Sequence, residues 1–298
     1  MADKNSRDCP ACHNSESIKL GKKNSFTMLR CKSCRSIYSS YLPTGAEAED
    51  YDDYYTEENL KVPDFIQKIL GEIIDDFTPH FLSGRLLDVG FGSAILMQVA
   101  REKGWQTTGV EVSRPAVEHA EKLGFEVFHG DLSEAKYPDN YFDVITASEI
   151  IEHCPQPEIL LNEIIRILRP GGLLWATTPS AKGLSYRLTG LDWTVICPPE
   201  HLQLFSKKAI RLMLKKAGFS HSKIQTFGFN PMETANTFRR RFSRKNGDEK
   251  ADFDRVGTGY TLNESLTKNS ARQKIKNLLN GTLNVLSVGD SLKIKAVK

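Results

Sequence analysis

Apolar residues between positions 61 and 228 follow two alternating spacings. Ile66, Ile69, Leu70, Ile73 and Phe77 recur at helical intervals, which predicts an amphipathic helix. Short apolar runs predict buried strands at 85–89, 107–112, 126–129, 142–147, 173–177, 221–227 and 291–297. Further helical spacings predict helices from 93 onward and at 115–123, 160–168 and 207–217. Strands that alternate with helices predict an α/β fold, a seven-stranded, largely parallel sheet with helices on both faces.

A glycine-containing loop follows the first predicted strand of this sheet. The stretch Gly90-Phe91-Gly92 comes two residues after Asp88 and leads into a predicted helix. Glycine lets a ligand approach the backbone closely, and the first turn of a helix offers free N–H groups. A nicotinamide-binding fingerprint requires a third glycine at position 95, where this chain has isoleucine. The loop therefore predicts a nucleotide-like ligand and argues against a dehydrogenase.

Two more acidic residues follow the next two predicted strands. Glu111 ends the second strand, 19 residues after Gly92, where a carboxylate can accept the ribose hydroxyl protons. Asp131 follows the third strand and precedes Leu132, in a position to accept from an adenine amino group. Because the carboxyl ends of parallel strands share one edge of the sheet, these residues together predict a nucleoside site.

With these motifs the chain resembles the class I S-adenosylmethionine-dependent methyltransferases, over about residues 61–228 and the last strand. The resemblance implies a Rossmann-like sheet and S-adenosylmethionine as methyl donor. Where many members have a third glycine, this chain has Ala94. Residues 229–288 separate the last two strands and predict a helical cap insertion before the final strand, 289–298. The cofactor-binding residues that the resemblance implies are Asp88, Gly90, Phe91, Gly92, Glu111, Asp131, Leu132 and Ser148.

Two histidines follow strands of the predicted core and are candidates for proton transfer. Glu152-His153 comes after the fourth strand, where related sugar methyltransferases have a Glu-His pair in the active site. His201 precedes a Leu-x-x-Phe-Ser segment, as it often does in the family. Histidine suits a general base near neutral pH. The resemblance therefore implies Glu152, His153 and His201 as catalytic candidates, and the alternative is that the histidines only orient loops.

Four of the six cysteines form two Cys-x-x-Cys pairs, Cys9 with Cys12 and Cys31 with Cys34. The 18 residues between the pairs fit a four-cysteine zinc ribbon over residues 1–45, with structural Zn²⁺, and a redox pair is the alternative. An acidic, tyrosine-rich linker at 46–60 follows, whose tyrosines could close over the cofactor or pack on the domain. Neither a signal-like nor a membrane-length apolar run occurs, so we expect a cytoplasmic protein.

The net charge of +3 is too small to indicate a nucleic-acid-binding protein. Basic residues nevertheless concentrate between Lys207 and Lys245, most densely at Phe238–Lys245. Arginines bind phosphate well, so this cluster could contact a phosphorylated sugar donor, RNA or an anionic membrane surface. A solvated surface is the fourth interpretation.

A zinc ribbon joined to a methyltransferase domain resembles a bacterial subfamily found among sugar and polysaccharide biosynthesis enzymes. We therefore expect methyl transfer to a small-molecule acceptor, a sugar or glycan-pathway intermediate, with a hydroxyl favoured over an amine or carbon. One alternative is an RNA methyltransferase that uses the ribbon to recognise RNA. Another is a non-catalytic binding protein that retains the fold. The sequence leaves open the acceptor, the methylated atom, the pathway and the oligomeric state.

Overall fold

The computed structural model describes residues 7–42, 55, 60, 62–243 and 270–298. The chain divides into two compact units. The ribbon unit comprises the described residues within Met1–Tyr41, Pro179–Ala209 and Gln225–Lys293. The sheet unit comprises those within Leu42–Thr178, Ile210–Ile224 and Ile294–Lys298. The predicted boundaries after residues 45, 60, 228 and 288 stay predictions, and of the predicted linker 46–60 only Tyr55 and Leu60 lie within the described residues.

Helices and strands alternate along the chain. Its first strands are β1 (Ser17–Lys23), β2 (Phe26–Cys31) and β3 (Ile37–Ser39). The middle of the chain forms α1 (Asp64–Asp75), β4 (Arg85–Val89), α2 (Ile95–Glu102), β5 (Gln106–Glu111), α3 (Arg114–Lys122), β6 (Val127–His129), β7 (Phe142–Ser148), α4 (Pro157–Ile167) and β8 (Leu168–Pro179). The last part forms α5 (Leu184–Thr189), β9 (Gln203–Leu204), α6 (Lys207–Ala217), β10 (His221–Phe227), α7 (Pro231–Ser243), α8 (Ser270–Leu286) and β11 (Ser291–Val297).

Seven strands form one sheet in the order β10-β11-β8-β7-β4-β5-β6. Neighbouring strands from β8 through β7, β4 and β5 to β6 pair in parallel. This confirms the predicted Rossmann-like sheet. The chain runs outward from β4 in both directions, through β5 to β6 and through β7 to β8. The carboxyl ends of β4 and its neighbours therefore flank a topological switch point, where α/β folds bind ligands.

Side chains of β8 alternate between the two faces of the sheet. Leu173 and Trp175 belong to one buried cluster, together with residues of α1 and α2. Leu174 and Ala176 line the opposite face with residues of α4 and α6. This period-two burial places helices on both faces, as the sequence predicts.

Strand β8 begins five residues earlier than predicted. It includes the Pro-Gly-Gly stretch, where the sequence predicts a turn between α4 and the strand. The chain's last residue explains the difference: Gly171 N–H donates to the Lys298 carbonyl at 3.1 Å, and Lys298 N–H donates to the Gly172 carbonyl at 3.2 Å. Strand β8 is thus extended by pairing with Lys298, which lies 126 positions after Gly172. Local turn propensity cannot predict a partner so distant along the chain.

Helix α5 has no counterpart in the sequence prediction, whereas α7 lies within the predicted helical cap insertion. Helix α8 lies within the predicted cap insertion, and its apolar residues differ in burial. Leu283 is buried, whereas Ile275, Leu278, Leu279 and Leu286 are exposed. Within the described part of the chain, no helix is both long and apolar enough to cross a membrane.

Asp143 at the start of β7 fixes the loop that precedes β4. Its Oδ2 accepts backbone N–H bonds from Leu82, Ser83 and Gly84 at 2.7–2.9 Å, and its Oδ1 accepts from Arg169 Nε at 2.5 Å. Burial opposes ionisation, but these donors outweigh it and lower the pKa of Asp143. The residue therefore folds as a charged carboxylate.

Replacing Asp143 with Asn should lower the free energy of unfolding by about 2–4 kcal/mol at pH 7, since Arg169 loses its buried counter-charge. A carboxyl with a lowered folded pKa stabilises the protein above its unfolded pKa of about 4, and this contribution is lost as the pH falls. The deficit should therefore shrink between pH 5 and about pH 3 in urea titrations.

Asp75→Asn is the matched control, because Asp75 pairs with Lys103 at 2.6 Å on the surface, its side chain 65% exposed. That change should lower the free energy of unfolding by less than about 1 kcal/mol. Equal losses for the two variants would contradict the role of Asp143.

Candidate cofactor and metal sites

The loop after β4 has a backbone conformation that favours glycine. Gly90 and Gly92 have φ angles of +68° and +51°. A Cβ on Gly90 would lie 2.0 Å from Ile150 Cδ1, and one on Gly92 would lie 2.8 Å from Tyr55 Oη. Ala94, at the N-cap of α2, is also left-handed, with φ of +57°. The loop is thus a tight cradle between β4 and α2, closed by one of the linker tyrosines.

Glu111 at the end of β5 holds this loop in place. Its Oε2 accepts the Gly92 N–H at 3.0 Å, and its Oε1 accepts the Val112 and Ser113 N–H groups at 2.8 and 3.1 Å. The carboxyl is buried, and burial raises its pKa although the three backbone N–H bonds oppose the shift. A carboxylate has about four acceptor positions, so Oε2 can accept one more hydrogen bond.

Asp88 on the neighbouring strand β4 is a second buried acid. Its Oδ1 accepts from Thr146 Oγ1 at 2.6 Å. Burial, with a smaller contribution from the charge of Glu111, raises the pKa of Asp88 to about 7. Sequence reasoning identified Asp88 but not Thr146, whose hydroxyl is fully buried in β7.

The remaining predicted cofactor residues occupy different environments. Asp131 is exposed, and its Oδ1 accepts from the N–H and Oγ of Ser133 at 3.0 and 2.9 Å. Leu132 and Phe91 are buried, and Phe91 packs in an apolar cluster with residues of α2 and α3. Ser148 Oγ lies 2.8 Å from Thr177 Oγ1, where β7 and β8 end side by side. The ring of Phe91 therefore belongs to this apolar cluster, and its backbone belongs to the glycine loop.

A turn after β7 carries the predicted Glu-His pair to the glycine loop. Glu149 begins the turn with φ of +55°, and its N–H donates to the Thr177 carbonyl at 2.9 Å. Ile150, the next residue, is the side chain that excludes a Cβ at Gly90. His153 N–H then donates to the Ile150 carbonyl at 3.0 Å. The ligating atoms of Glu152 and His153 lie within 4.8 Å of each other.

Glu152 is the most deeply buried acid of this edge, with no exposed surface. Its Oε2 accepts from Thr178 Oγ1 at 2.9 Å, and its Oε1 has no hydrogen-bond partner among the described residues. Burial and then the charge of Glu149 raise the pKa of Glu152 well above its ordinary value. Burial therefore favours the neutral form of Glu152. Sequence reasoning did not identify Glu149 as a neighbour of this site. Its position three residues before Glu152 is the sequence feature that could have pointed to it.

The four cysteines predicted as metal ligands lie together in the ribbon unit. All four sulfur atoms are within 4.8 Å of one another, and none forms a disulfide. The closest pairs are Cys9 with Cys34 at 3.4 Å and Cys12 with Cys31 at 3.5 Å. We call this set the four-cysteine centre.

The two Cys-x-x-Cys turns of the four-cysteine centre have the same backbone geometry. In the first turn, His13 N–H donates to the Cys9 carbonyl at 2.8 Å, and in the second, Arg35 N–H donates to the Cys31 carbonyl at 3.1 Å. The residue after the second cysteine is left-handed in both, with φ of +54° at His13 and +68° at Arg35. We call the two turns the first and second knuckle. His13 follows the knuckle and is no substitute ligand, since all four sulfurs are present.

His201 also lies in the ribbon unit and is buried. Its Nδ1 is 2.6 Å from the Val195 carbonyl. A carbonyl only accepts, so this bond assigns a proton to Nδ1. The sequence singled out His201 but gave no indication of its carbonyl partner.

The basic stretch from Lys207 to Lys245 is only partly available for a ligand. Lys208 Nζ donates to the Ser33 carbonyl and Lys216 Nζ to Glu158 Oε2, each at 2.8 Å. Arg239 on α7 is exposed. Residues 244 and 245 of the predicted cluster Phe238–Lys245 lie outside the described residues.

A parallel sheet with a glycine loop after β4 and a buried acid at the end of β5 is an arrangement typical of α/β folds that bind nucleotides at the carboxyl edge of the sheet. The family described as Methyltransferase domain matches residues 58–223, more than half of the chain. The chain therefore belongs to this methyltransferase family and is an S-adenosylmethionine-dependent methyltransferase.

Curated relatives agree with this assignment. The ubiquinone biosynthesis O-methyltransferase of Maricaulis maris is 28% identical over 184 residues, 55% of this chain and 72% of the relative. The enzyme of the same name from Idiomarina loihiensis is 25% identical over 173 residues, 54% and 71% of the two chains. Among solved structures, a methyltransferase from Archaeoglobus fulgidus aligns with a TM-score of 0.53 and 18% identity, over 84% of this chain and all of the other. That structure supports the fold alone.

Replacing Glu152 with Gln should stabilise the protein, and increasingly so as the pH rises. An acid whose folded pKa is raised favours folding only below its unfolded pKa of about 4.3, and this contribution is lost as the pH rises toward the folded pKa. Glutamine does not titrate, so its advantage should grow by up to about 1.4 kcal/mol per pH unit in that window. Urea titrations between pH 5 and 8 measure it.

Glu158→Gln is the control for this prediction, since Glu158 pairs with Lys216 on the surface. The free energy of unfolding of this variant should stay within about 1 kcal/mol of the wild-type value at every pH. A constant difference for Glu152→Gln across the same range would show that Glu152 is ionised in the folded protein.

Proposed function

We propose that this enzyme transfers the methyl group of S-adenosylmethionine to a hydroxyl of a small, sugar-linked acceptor. The observation that carries the proposal is the fully buried Glu152 beside His153, on a turn whose Ile150 packs against the glycine loop. Methyl donor and proton-handling groups would thereby meet at the carboxyl edge of the sheet. The S-adenosylmethionine sulfonium supplies an activated methyl group to a nucleophile.

The proposed cofactor site uses the loop backbone and the acids that follow it. Gly90, Phe91 and Gly92 would present main-chain atoms to the methionine part, with Asp88 and Ser148 at its sides. Glu111 would accept a ribose hydroxyl at the unused position of Oε2. Asp131 would offer the adenine a polar contact, and the buried Leu132 would offer its ring an apolar one.

Methylation of a hydroxyl requires that its proton be removed. Histidine suits a general base near neutral pH, so we assign the base to a histidine, His153 or His201. Glu152 would orient the acceptor or the histidine.

A hydroxyl acceptor agrees with the printed names of the relatives, which are O-methyltransferases. The sugar-linked character rests on the combination of ribbon and methyltransferase motifs. RNA remains the alternative acceptor because the ribbon has exposed cations such as Lys19, Lys22 and Lys32. Against RNA, other cations of this unit are engaged internally: Arg30 with Tyr186, and Lys208 with Ser33.

We further propose that the four-cysteine centre binds structural Zn²⁺. Zinc–sulfur bonds of about 2.3 Å in a tetrahedron place the sulfurs about 3.8 Å apart, and the observed pairs at 3.4 and 3.5 Å are close to this. Four cysteines fill the tetrahedron, so no position would remain for a substrate, as in structural sites. Localisation in the cytoplasm stays a prediction.

Glu111→Ala should weaken S-adenosylmethionine binding by about 1–3 kcal/mol, that is, roughly 5- to 150-fold in Kd, because the loop N–H and the ribose hydroxyl lose their acceptor. Isothermal titration calorimetry measures the change. Glu126→Ala, at an exposed acid, is the control and should leave Kd unaltered. An unchanged Kd for Glu111→Ala would overturn its assignment to the ribose.

The acceptor class is tested with S-adenosylmethionine labelled in its methyl group and extract from the host. We expect label in material that survives ribonuclease and migrates with nucleotide sugars, glycolipids or small metabolites. The Glu111→Ala variant serves as the low-transfer control. Label in a ribonuclease-sensitive polymer would establish RNA as the acceptor, and binding without any transfer would indicate a non-catalytic protein.

A further inference from the structure

We infer that the metal of the four-cysteine centre positions the segment 201–206, and with it His201. The inference rests on the proposed catalytic role of His201 and extends it, because it names what would hold that residue in place. Every contact that carries it lies within the ribbon unit. Three sets of contacts connect the four-cysteine centre to this segment.

The first set is a shared sheet. Strand β9 completes the ribbon as its fourth strand, in the order β1-β2-β3-β9. Ile37 pairs with Leu204 and Tyr38 with Gln203, antiparallel, and Ser39 N–H donates to the Leu202 carbonyl at 2.9 Å. The two residues of β9 are too few to form a stable strand alone. Their conformation therefore depends on β3, which begins three residues after Cys34.

The second set starts from the first knuckle. Arg7 lies two residues before Cys9, and its guanidinium donates to the Ser39 and Leu202 carbonyls at 2.9 and 3.2 Å and to Gln203 Oε1 at 3.0 Å. A charged, planar donor with three acceptors holds the residues directly after His201 in one orientation.

The third set starts from the second knuckle. Ser206 Oγ donates to the Cys34 carbonyl at 2.6 Å and accepts the Ala209 N–H at 3.1 Å. The same hydroxyl thus caps the N-terminus of α6 and binds the knuckle. Lys208 Nζ adds a bond to the Ser33 carbonyl at 2.8 Å. Ser206 is 1% exposed, so water does not replace these partners when one is lost.

Each knuckle therefore holds a different end of the segment. The first knuckle holds residues 202 and 203 through Arg7, and the second holds 206 and 208 through its own carbonyls. Metal–thiolate bonds fix the two knuckles relative to each other, whereas thiols alone make only weak hydrogen bonds. Loss of the metal would let the two ends move independently, and His201 with them. Ser206 is in this sense a positioning residue.

The experiment compares full-length protein with and without its metal, removed by a chelator. Amide hydrogen exchange in peptides covering 193–206 should rise at least about tenfold on metal removal, while exchange in 85–111 stays constant. Kd for S-adenosylmethionine should change by less than about twofold, since the proposed cofactor residues lie in the sheet unit. Loss of methyl-donor binding together with the metal would mean a general unfolding and would overturn the inference.

Ser206→Ala tests the coupling while the metal stays bound. We expect one metal per chain, faster exchange in 201–206, and transfer of label to the accepting extract fraction reduced at least about tenfold. Ser206→Thr keeps the hydroxyl and should restore both readouts toward wild type. Ser220→Ala, which removes an exposed hydroxyl bond to Val297, is the control.

The outcomes separate this inference from the proposed function. Wild-type protein that binds S-adenosylmethionine but transfers no label contradicts the proposed function, and the exchange data still decide the positioning. Unchanged exchange at 193–206 after metal removal overturns the positioning, whatever the activity. A loss of transfer in Ser206→Ala that Ser206→Thr does not restore also overturns it.

Discussion

Three backbone N–H groups converge on the buried carboxylate of Glu111, and the carboxyl edge of the sheet is organised around this contact. Because one N–H comes from Gly92 and two from the turn after β5, the carboxylate locks the two loops together. Gly90, in the same loop, packs against Ile150, which belongs to the turn that carries Glu152. Each of these N–H groups would cost about 1–3 kcal/mol if left without an acceptor. The position of the proposed proton-handling residues thus follows from a cofactor-side interaction.

The sheet was predictable because its signals are local. Buried parallel strands are continuous apolar runs, and Gly90 and Gly92 have the positive φ angles that the motif implies. The clustering of the four cysteines was predictable for the same reason, since each Cys-x-x-Cys turn is a short-range structure. By contrast, local spacing cannot report a partner that is distant along the chain. The early start of β8, which depends on Lys298, and the pairing of β3 with β9 are of that kind.

The candidate site was predictable in its residue types more than in its contacts. Motifs pointed to Glu152 and His201, but their hydrogen-bond partners, the Thr178 hydroxyl and the Val195 carbonyl, have no sequence signature. The exposed apolar residues of α8 are another feature that the sequence pattern did not predict. A helical stripe predicts a helix correctly, but it does not report whether a surface exists to cover that stripe.

The directions of the pKa shifts of Asp143, Asp88 and Glu152 follow the number and charge of their hydrogen-bond donors. Asp143 has an arginine and three N–H donors and is ionised, whereas Asp88 and Glu152 each have one threonine hydroxyl and raised pKa values. The pKa values of the buried acids are thus raised at the edge near the glycine loop and lowered at the opposite end of β7. Transfer of a methyl group to a hydroxyl releases a proton that a base must accept. Burial disfavours the ionised form that Glu152 would need in order to act as such a base, so in the proposed reaction a histidine imidazole is the better proton acceptor.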